Sequence, residues 1–444
     1  MESPVILLLL LLVSAAAAAV SYPKEALPTK SGYLKVNSTS GSSIFYTFYE
    51  AQTHENPPTP TIPILIWLQG GPGCSSMLAN LYELGPWLVN QDLSLQPNPA
   101  GSWNRIFGLL FLDSPIATGF SFAASPQEIP RDQDGVATHL YTAINQFLDL
   151  DVGFRSRPVY ITGESYAGKY VPSIGYYILR KNAALPPGEE RINLGGVAIG
   201  NGLTDPEIQV TSHAVQAYNL GLINGKQKAL LEELQRQAVE RVRRGEWGAA
   251  TNARKRVLNE LTRMTGLATL YDFRRSIPYQ DELVEKFLNN PEAKKALGAN
   301  ESAVFELCSD VVEEAMSEDV MKSARWEMEF LVEKTKVLLY QGQCDLRDGV
   351  VSTVAWMKEM KWEGVDEFLE AERKVWRVDG KLAGYVQKWR NLSHVVVVNA
   401  GHLVPTDQPV NSQVMIQDWV LDRGLFRGDE VGEVANDFGG TVML

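Results

Sequence analysis

Short apolar runs alternate with longer stretches of helical spacing along most of the chain. Residues 62–68, 159–162, 337–340 and 394–398 are rich in β-branched, aromatic and other apolar side chains. Near-continuous runs of this length predict strands covered on both faces, as in a parallel sheet. After the run at 159–162, Tyr170, Val171, Ile174, Tyr177 and Ile178 recur at helical spacing, with Pro172 expected in the first turn, where a missing N–H costs little. From Asn201 to about Val320 the strand signal stops. Leu230, Leu234, Ala238 and Val242 repeat every four residues there, and Val257, Leu258, Leu261 and Met264 continue the helical spacing. The alternation predicts a mostly parallel α/β core. The interruption predicts a helical cap inserted at about residues 203–320, covering the active site and shaping its specificity.

The amino terminus reads differently. Residues 5–13 are apolar and are followed by Ser-Ala-Ala-Ala-Ala-Ala-Val, the pattern of a signal peptide with cleavage after Ala19, although Glu2 stands where Lys or Arg is usual. The apolar stretch is shorter than the ~20 residues a membrane span needs, so no membrane anchor is expected. Residues 20–444 then form one domain of about 425 residues. A formal net charge of −12 argues against nucleic acid or an anionic membrane as partner. A secretory route, ending outside the cell or in a vacuole, gives meaning to three N-x-S/T sequons at Asn37, Asn300 and Asn391. Asn391, just before a buried strand, suits a glycan least. Arg241, Arg243 and Arg244 read as a solvated helix face in preference to a processing site. There is no internal repeat, metal-binding His/Cys cluster or phosphate loop, so neither metal nor cofactor is expected.

Candidate chemistry centres on Pro158-Val-Tyr-Ile-Thr-Gly-Glu-Ser165-Tyr-Ala-Gly168, where a strand meets a helix at small residues. This is the pattern of a nucleophile elbow, with Ala167 departing from strict G-x-S-x-G. A serine hydroxyl needs a base, an orienting acid and oxyanion donors. Of five histidines, His402 follows a buried-type strand into a loop, while His394 opens that strand, His139 and His213 sit in helical patterns, and His54 lies in a Pro-rich loop. The acid should fall between serine and histidine in the chain, and Asp345 follows the strand at 337–340, with Asp348 as a rival. The glycine loop Gln69-Gly-Gly-Pro-Gly-Cys-Ser-Ser76 can bring backbone donors close, and the amides of Gly71 and Tyr166 are the expected oxyanion hole.

Trp67-Leu-Gln-Gly-Gly-Pro-Gly-Cys-Ser-Ser76, Glu83-Leu-Gly-Pro86, Ser102-Trp-Asn104, Leu112-Asp-Ser-Pro115, Gly119-Phe-Ser121, Gly163-Glu-Ser-Tyr-Ala-Gly168, Gly200-Asn-Gly202 and Gly401-His-Leu-Val-Pro405 together resemble the serine carboxypeptidase family, nearest to its plant serine carboxypeptidase-like members. The resemblance implies an α/β-hydrolase fold, peptide or protein C-termini as substrates, and hydrolysis through an acyl-enzyme at acidic pH. It implies that Gln69, Glu83 and Glu164 hold the substrate's terminal carboxylate, with at least one glutamate protonated. Gln69 stands where the family usually has Asn, and Ala117 where Gly is common. A Cys74–Cys308 disulfide is also implied, while the family's further bridges are absent. Cys344, the third cysteine, reads as a packed thiol whose position predicts sensitivity to bulky mercurials. Two alternatives share the scaffold: an acyltransferase, whose members often carry Asp in place of Glu164, and a non-catalytic binding protein.

Overall fold

The computed structural model describes residues 22–53 and 61–427; the leader and His54 lie outside the described residues. Strands β1 (Lys30–Lys35), β2 (Ser43–Tyr49), β3 (Ile64–Leu68), β4 (Trp87–Val89), β5 (Leu95–Pro97) and β6 (Gly108–Leu112) are followed by β7 (Val159–Glu164) and β8 (Leu194–Gly200). The series ends with β9 (Lys336–Gly342), β10 (Lys374–Val378), β11 (Lys381–Trp389) and β12 (Leu392–Val397). Ten of them form one sheet in the order β1-β2-β6-β3-β7-β8-β9-β12-β11-β10, while β4 and β5 pair separately. The central six are parallel and two antiparallel strands extend each edge.

Alternate residues of the apolar runs serve opposite faces, as the period of two requires. Ile64, Ile66 and Leu68 join one core cluster with Leu110, Leu112 and Ile161. Leu65 and Trp67 join the other with Leu109, Phe111 and Tyr160. Because the six central strands run the same way, the loops after β3, β7, β9 and β12 leave from one edge of the sheet. Reactive groups in α/β folds gather at that edge.

The helix after β7 spans Ala167–Ala184, so Pro172 is its sixth residue and lies beyond the first turn, contrary to expectation. The bend at Ser165 is sharp enough for the helix to start two residues later. The N–H that proline lacks would have bonded the Gly168 carbonyl, which accepts from the Thr204 hydroxyl instead at 3.0 Å.

Between β8 and β9 the regular structure of the described residues is helical. Helices Gly225–Arg243 and Trp247–Thr265 build their own core from Leu231, Leu234, Ala238, Val242, Val257, Leu258 and Leu261. Leu231 is fully buried whereas Leu230, the residue singled out by its four-residue spacing, is 48% exposed. Around the helix Leu231 lies within about 20° of Ala238 and Val242, whereas Leu230 is turned about 80–120° from them. Arg241 and Arg243 reach Glu246 and Glu207 on the exposed side, and Arg244 is exposed beside them.

Cys74 and Cys308, 234 residues apart, are disulfide-bonded and tie the loop after β3 to the far part of the helical region. Backbone bonds Ser75 N to Leu307 O (2.8 Å) and Ser309 N to Gly73 O (2.9 Å) flank the bridge. Cys344 is buried and free, and burial pushes its thiol up to about 11. Asn300 is exposed, whereas Asn37 and Asn391 are half-buried and the side-chain nitrogen of each, the atom a glycan would need, donates, to Glu128 Oε2 at 3.3 Å and to Val332 O at 2.9 Å.

Ala117 adopts φ +70°, a left-handed conformation that glycine takes freely and a Cβ disfavours. Ala117→Gly is therefore expected to raise the melting temperature, by the equivalent of up to about 1 kcal/mol. Leu231→Ala should destabilise by about 2–5 kcal/mol, and Leu230→Ala by no more than about 0.5 kcal/mol. Thermal melts of the three variants beside the parent would check both expectations.

Candidate active site

Ser165 caps β7 at φ +63°. Its N–H donates to Gly200 O (3.0 Å), and its carbonyl accepts from Gly168 N and Leu203 N (2.9 Å each). These bonds hold a left-handed backbone that a residue with a Cβ would otherwise leave. The surroundings must be small. A Cβ on Gly163 would lie 2.7 Å from the Ala167 Cβ, so the alanine that departs from the strict motif still fits against glycine. A Cβ on Gly70 would lie 2.6 Å from the Tyr166 amide nitrogen, which places the glycine loop directly against the elbow. Gly71, next along, sits at φ +114° and lines a cavity together with Ser165 and Tyr166.

His402 and Asp345 arrive on the loops after β12 and β9. The His402 Nδ1 lies 2.7 Å from Asp345 Oδ2, and both residues are almost wholly buried. A carboxylate accepting at Nδ1 fixes the tautomer and leaves Nε2 as the acceptor. That Nε2 is buried with no bonded partner among the described residues, in a cavity that Ser165 also lines. Asp348, the rival acid, accepts instead from Arg254 Nη2 at 3.0 Å. The remaining described histidines are engaged elsewhere. His213 bonds Leu346 O and His394 bonds Gln341 Oε1, and burial pushes each down to about 4. His139 sits on the helix Gln133–Leu148.

Three groups that hold the pair went unassigned in the sequence. Asn201, at φ +43°, donates to Asp345 Oδ2 (2.7 Å) and accepts from Gly342 N (3.2 Å). The Gly-Asn-Gly setting after a strand was its available signal, since Asn tolerates this backbone. Arg347 N donates to Asp345 Oδ1 at 2.7 Å. The third group is a stretch of the helical region at residues 270–273. Leu270 O accepts from Leu346 N (2.9 Å), Tyr271 O from His402 N (2.7 Å), and Phe273 N donates to Cys344 O (3.1 Å). The Tyr271 ring lies 4.5 Å from the His402 imidazole. Nothing local in the sequence marks this segment.

Gln69, Glu164, His402 and Ser165 share one cavity of about 280 Å³, with Tyr271 and Asp281 in its wall. The Gln69 side chain is tethered at both ends: Trp67 Nε1 donates to its oxygen (2.7 Å), and its nitrogen donates to Glu164 Oε1 (3.1 Å). Glu83 and Glu164 are buried against each other, and neither Glu83 oxygen nor Glu164 Oε2 finds a conventional partner. Burial raises both carboxyls, Glu83 to about 8 and Glu164 well above the usual range, the latter further by the charge of Glu83. Two such acids side by side keep at least one proton at neutral pH. The site thus offers a carboxylic O–H beside an amide, a suitable receptacle for an anionic group. Among the described residues no cluster of His, Cys, Asp and Glu is arranged to hold a metal, and no helix is long and apolar enough to cross a membrane.

Comparison with known proteins gives the same picture at the level of the whole chain. The family model described as serine carboxypeptidase matches residues 21–422. Serine carboxypeptidase-like 50 of Arabidopsis thaliana is 56% identical over 417 residues, covering 94% of this chain and 92% of that protein. Probable serine carboxypeptidase CPVL of Homo sapiens is 32% identical over 415 residues, 91% of this chain and 85% of that one. The crystal structure of Kex1(delta)p, a prohormone-processing carboxypeptidase from Saccharomyces cerevisiae, aligns with a TM-score of 0.81 at 25% identity, covering 91% of this chain and 94% of that one. With this α/β-hydrolase sheet and this agreement over nearly its full length, the chain belongs to the serine carboxypeptidase family.

Proposed function

We propose that this family member enters the secretory pathway, for the cell exterior or the vacuole, and removes C-terminal residues from peptides through an acyl-enzyme at acidic pH. The observation that carries the reading is the carboxyl pair, Glu83 and Glu164, buried with the Gln69 amide beside Ser165. A general esterase has no use for a buried carboxylic acid at that spot, whereas an exopeptidase must recognise a chain end.

Ser165 Oγ attacks the last peptide carbonyl as His402 Nε2 takes its proton, and Asp345 stabilises the imidazolium at Nδ1. The amides of Gly71 and Tyr166 receive the developing oxyanion. His402 returns the proton to the leaving amine; water then repeats the sequence on the ester. Gln69 and the protonated glutamate hold the terminal carboxylate, so the scissile bond is fixed at one residue's reach from that grip. The helical region at about 203–320 acts as the cap over this site, and glycans are carried at Asn37 and Asn300. The sequon at Asn391 suits a glycan least, because its nitrogen donates to a backbone carbonyl at 2.9 Å, whereas the Asn37 nitrogen meets Glu128 Oε2 only at 3.3 Å.

Ser165→Ala should abolish release of C-terminal amino acids from blocked peptides while leaving the melting temperature within a few degrees. Amino-acid release by a folded Ser165→Ala protein at the parent rate would sink the assignment. The pH dependence has a definite sign. Below the raised pKa values the pair donates a proton to the substrate carboxylate; above them a negative charge opposes it. KM for peptides is expected to rise as pH climbs from mildly acidic values through about 8, and a flat KM would refute the grip. The folded state keeps a proton that the unfolded chain releases near its ordinary carboxyl pKa, so stability falls with rising pH across this window. Glu83→Gln should flatten both the KM and the melting-temperature profiles.

A further inference from the structure

The carboxylate grip proposed above occupies only one side of Ser165. Besides the cavity that holds Gln69 and Glu164, a second cavity of about 250 Å³ opens at Ser165, with Gly71 and Tyr166 in its wall. If the terminal residue occupies the first, the residue before the scissile bond extends into the second, because the two meet at the attacking serine. The wall of this second cavity is charged. It holds Arg254, Lys255, Arg347, Asp348 and Glu313.

Pairing within the wall is unequal. Arg254 Nη2 donates to Asp348 Oδ1 at 3.0 Å, both residues buried, and Lys255 pairs with Glu313 at 2.5 Å. Arg347 is left without an equivalent. Its Nε lies 3.7 Å from Asp348 Oδ2, an ion pair too long for a hydrogen bond and shared with Arg254. None of its side-chain donors has a hydrogen-bond partner among the described residues, and its Nε is buried. The guanidinium carbon sits 5.1 Å from the Tyr271 ring centroid, so its position is fixed by stacking while its donor edge stays open. Asp348 and Glu313 in the wall and Asp345 just behind it offset the three cations, so what Arg347 offers an entering group is its unbonded donor edge.

We propose that Arg347 makes this cavity a receptor for an acidic side chain, so that the enzyme prefers peptides with Glu or Asp immediately before the scissile bond. A carboxylate there completes a bidentate pair with the planar guanidinium, whose donors are otherwise unbonded. The preference is a property of a specificity-determining residue two positions after the acid that orients His402. It adds to the carboxylate grip on the other side of Ser165 and does not replace it.

The test uses N-blocked peptides that share one C-terminal residue and differ only in the residue before it: Glu, Gln or Lys. The mature wild-type protein should favour Glu over Gln in kcat/KM by on the order of tenfold, a charge-assisted bond discounted for the 31% exposure of the Arg347 side chain. Arg347→Gln should bring the ratio near one, Arg347→Lys should keep part of it, and Arg347→Glu should shift preference to the Lys peptide. Turnover of the Gln peptide by each variant reports an intact site. A wild-type ratio of one or below, a preference for Lys, or a ratio that Arg347→Gln leaves unchanged overturns the proposal. Calorimetric titration of the same peptides into Ser165→Ala separates this pocket from the hydrolytic reading. Tighter binding of the Glu peptide, lost with Arg347→Gln, supports the pocket even if the wild type turns nothing over; equal affinities for Glu and Gln overturn it.

Discussion

The left-handed backbone of Ser165 is the constraint around which the rest of the site is arranged. Holding a residue with a Cβ at φ +63° costs on the order of 1–3 kcal/mol, and three backbone hydrogen bonds to Gly200, Gly168 and Leu203 offset it. Those bonds exist because β8 and the segment after it run close beside the elbow. That proximity demands Gly168, where a Cβ would meet Leu203 N, while Gly163 and Gly70 stand where a Cβ would meet Leu68 O and Tyr166 N. A hydroxyl lifted clear of the sheet by strain is thus inseparable from a glycine loop pressed against the next amide. The same crowding lets Tyr166 N and the loop after β3 converge on one point.

Electrostatics at the site divide by side. On one, buried acids keep a proton because nothing positive compensates them and each discourages the other's charge. On the other, two guanidinium groups and a lysine share the wall with two carboxylates. The pair Asp345 and His402 lies between these regions, its carboxylate saturated by Asn201, Arg347 and Asp348 backbone or side-chain N–H groups. So dense a set of donors leaves Asp345 little freedom to turn away from the imidazole.

Much of this was legible from residue order alone, for physical reasons that can be named. The parallel strands declare themselves because helices cover both faces, so β3 and β6 are apolar at nearly every position. Ser165, Asp345 and His402 stand just beyond such runs, and the structure brings them to one edge. The bond that separates Asp345 from Asp348 as partner of His402 required coordinates, because three residues of chain say nothing about which carboxylate turns inward. The inward face of the helix Gly225–Arg243 was missed by one residue, since both Leu230 and Leu231 are leucine and only the turn of the helix tells them apart. Pro172 misled because its harmlessness rests on a hydroxyl 32 residues away in sequence. The contribution of residues 270–273 was invisible for a deeper reason: it is made by backbone carbonyls and amides, which every sequence possesses.

The order of the strands also has a consequence for biosynthesis. The loops that meet at the site follow β3, β7, β9 and β12, and the last of these inserts beside β9 only after every other strand of the sheet has been made. His402 therefore joins Ser165 after the helical region and the disulfide partner Cys308 have already emerged. A nascent chain holds the serine through the synthesis of more than two hundred further residues without the imidazole that would arm it. The topology itself delays the onset of reactivity until the last strand of the sheet has been made.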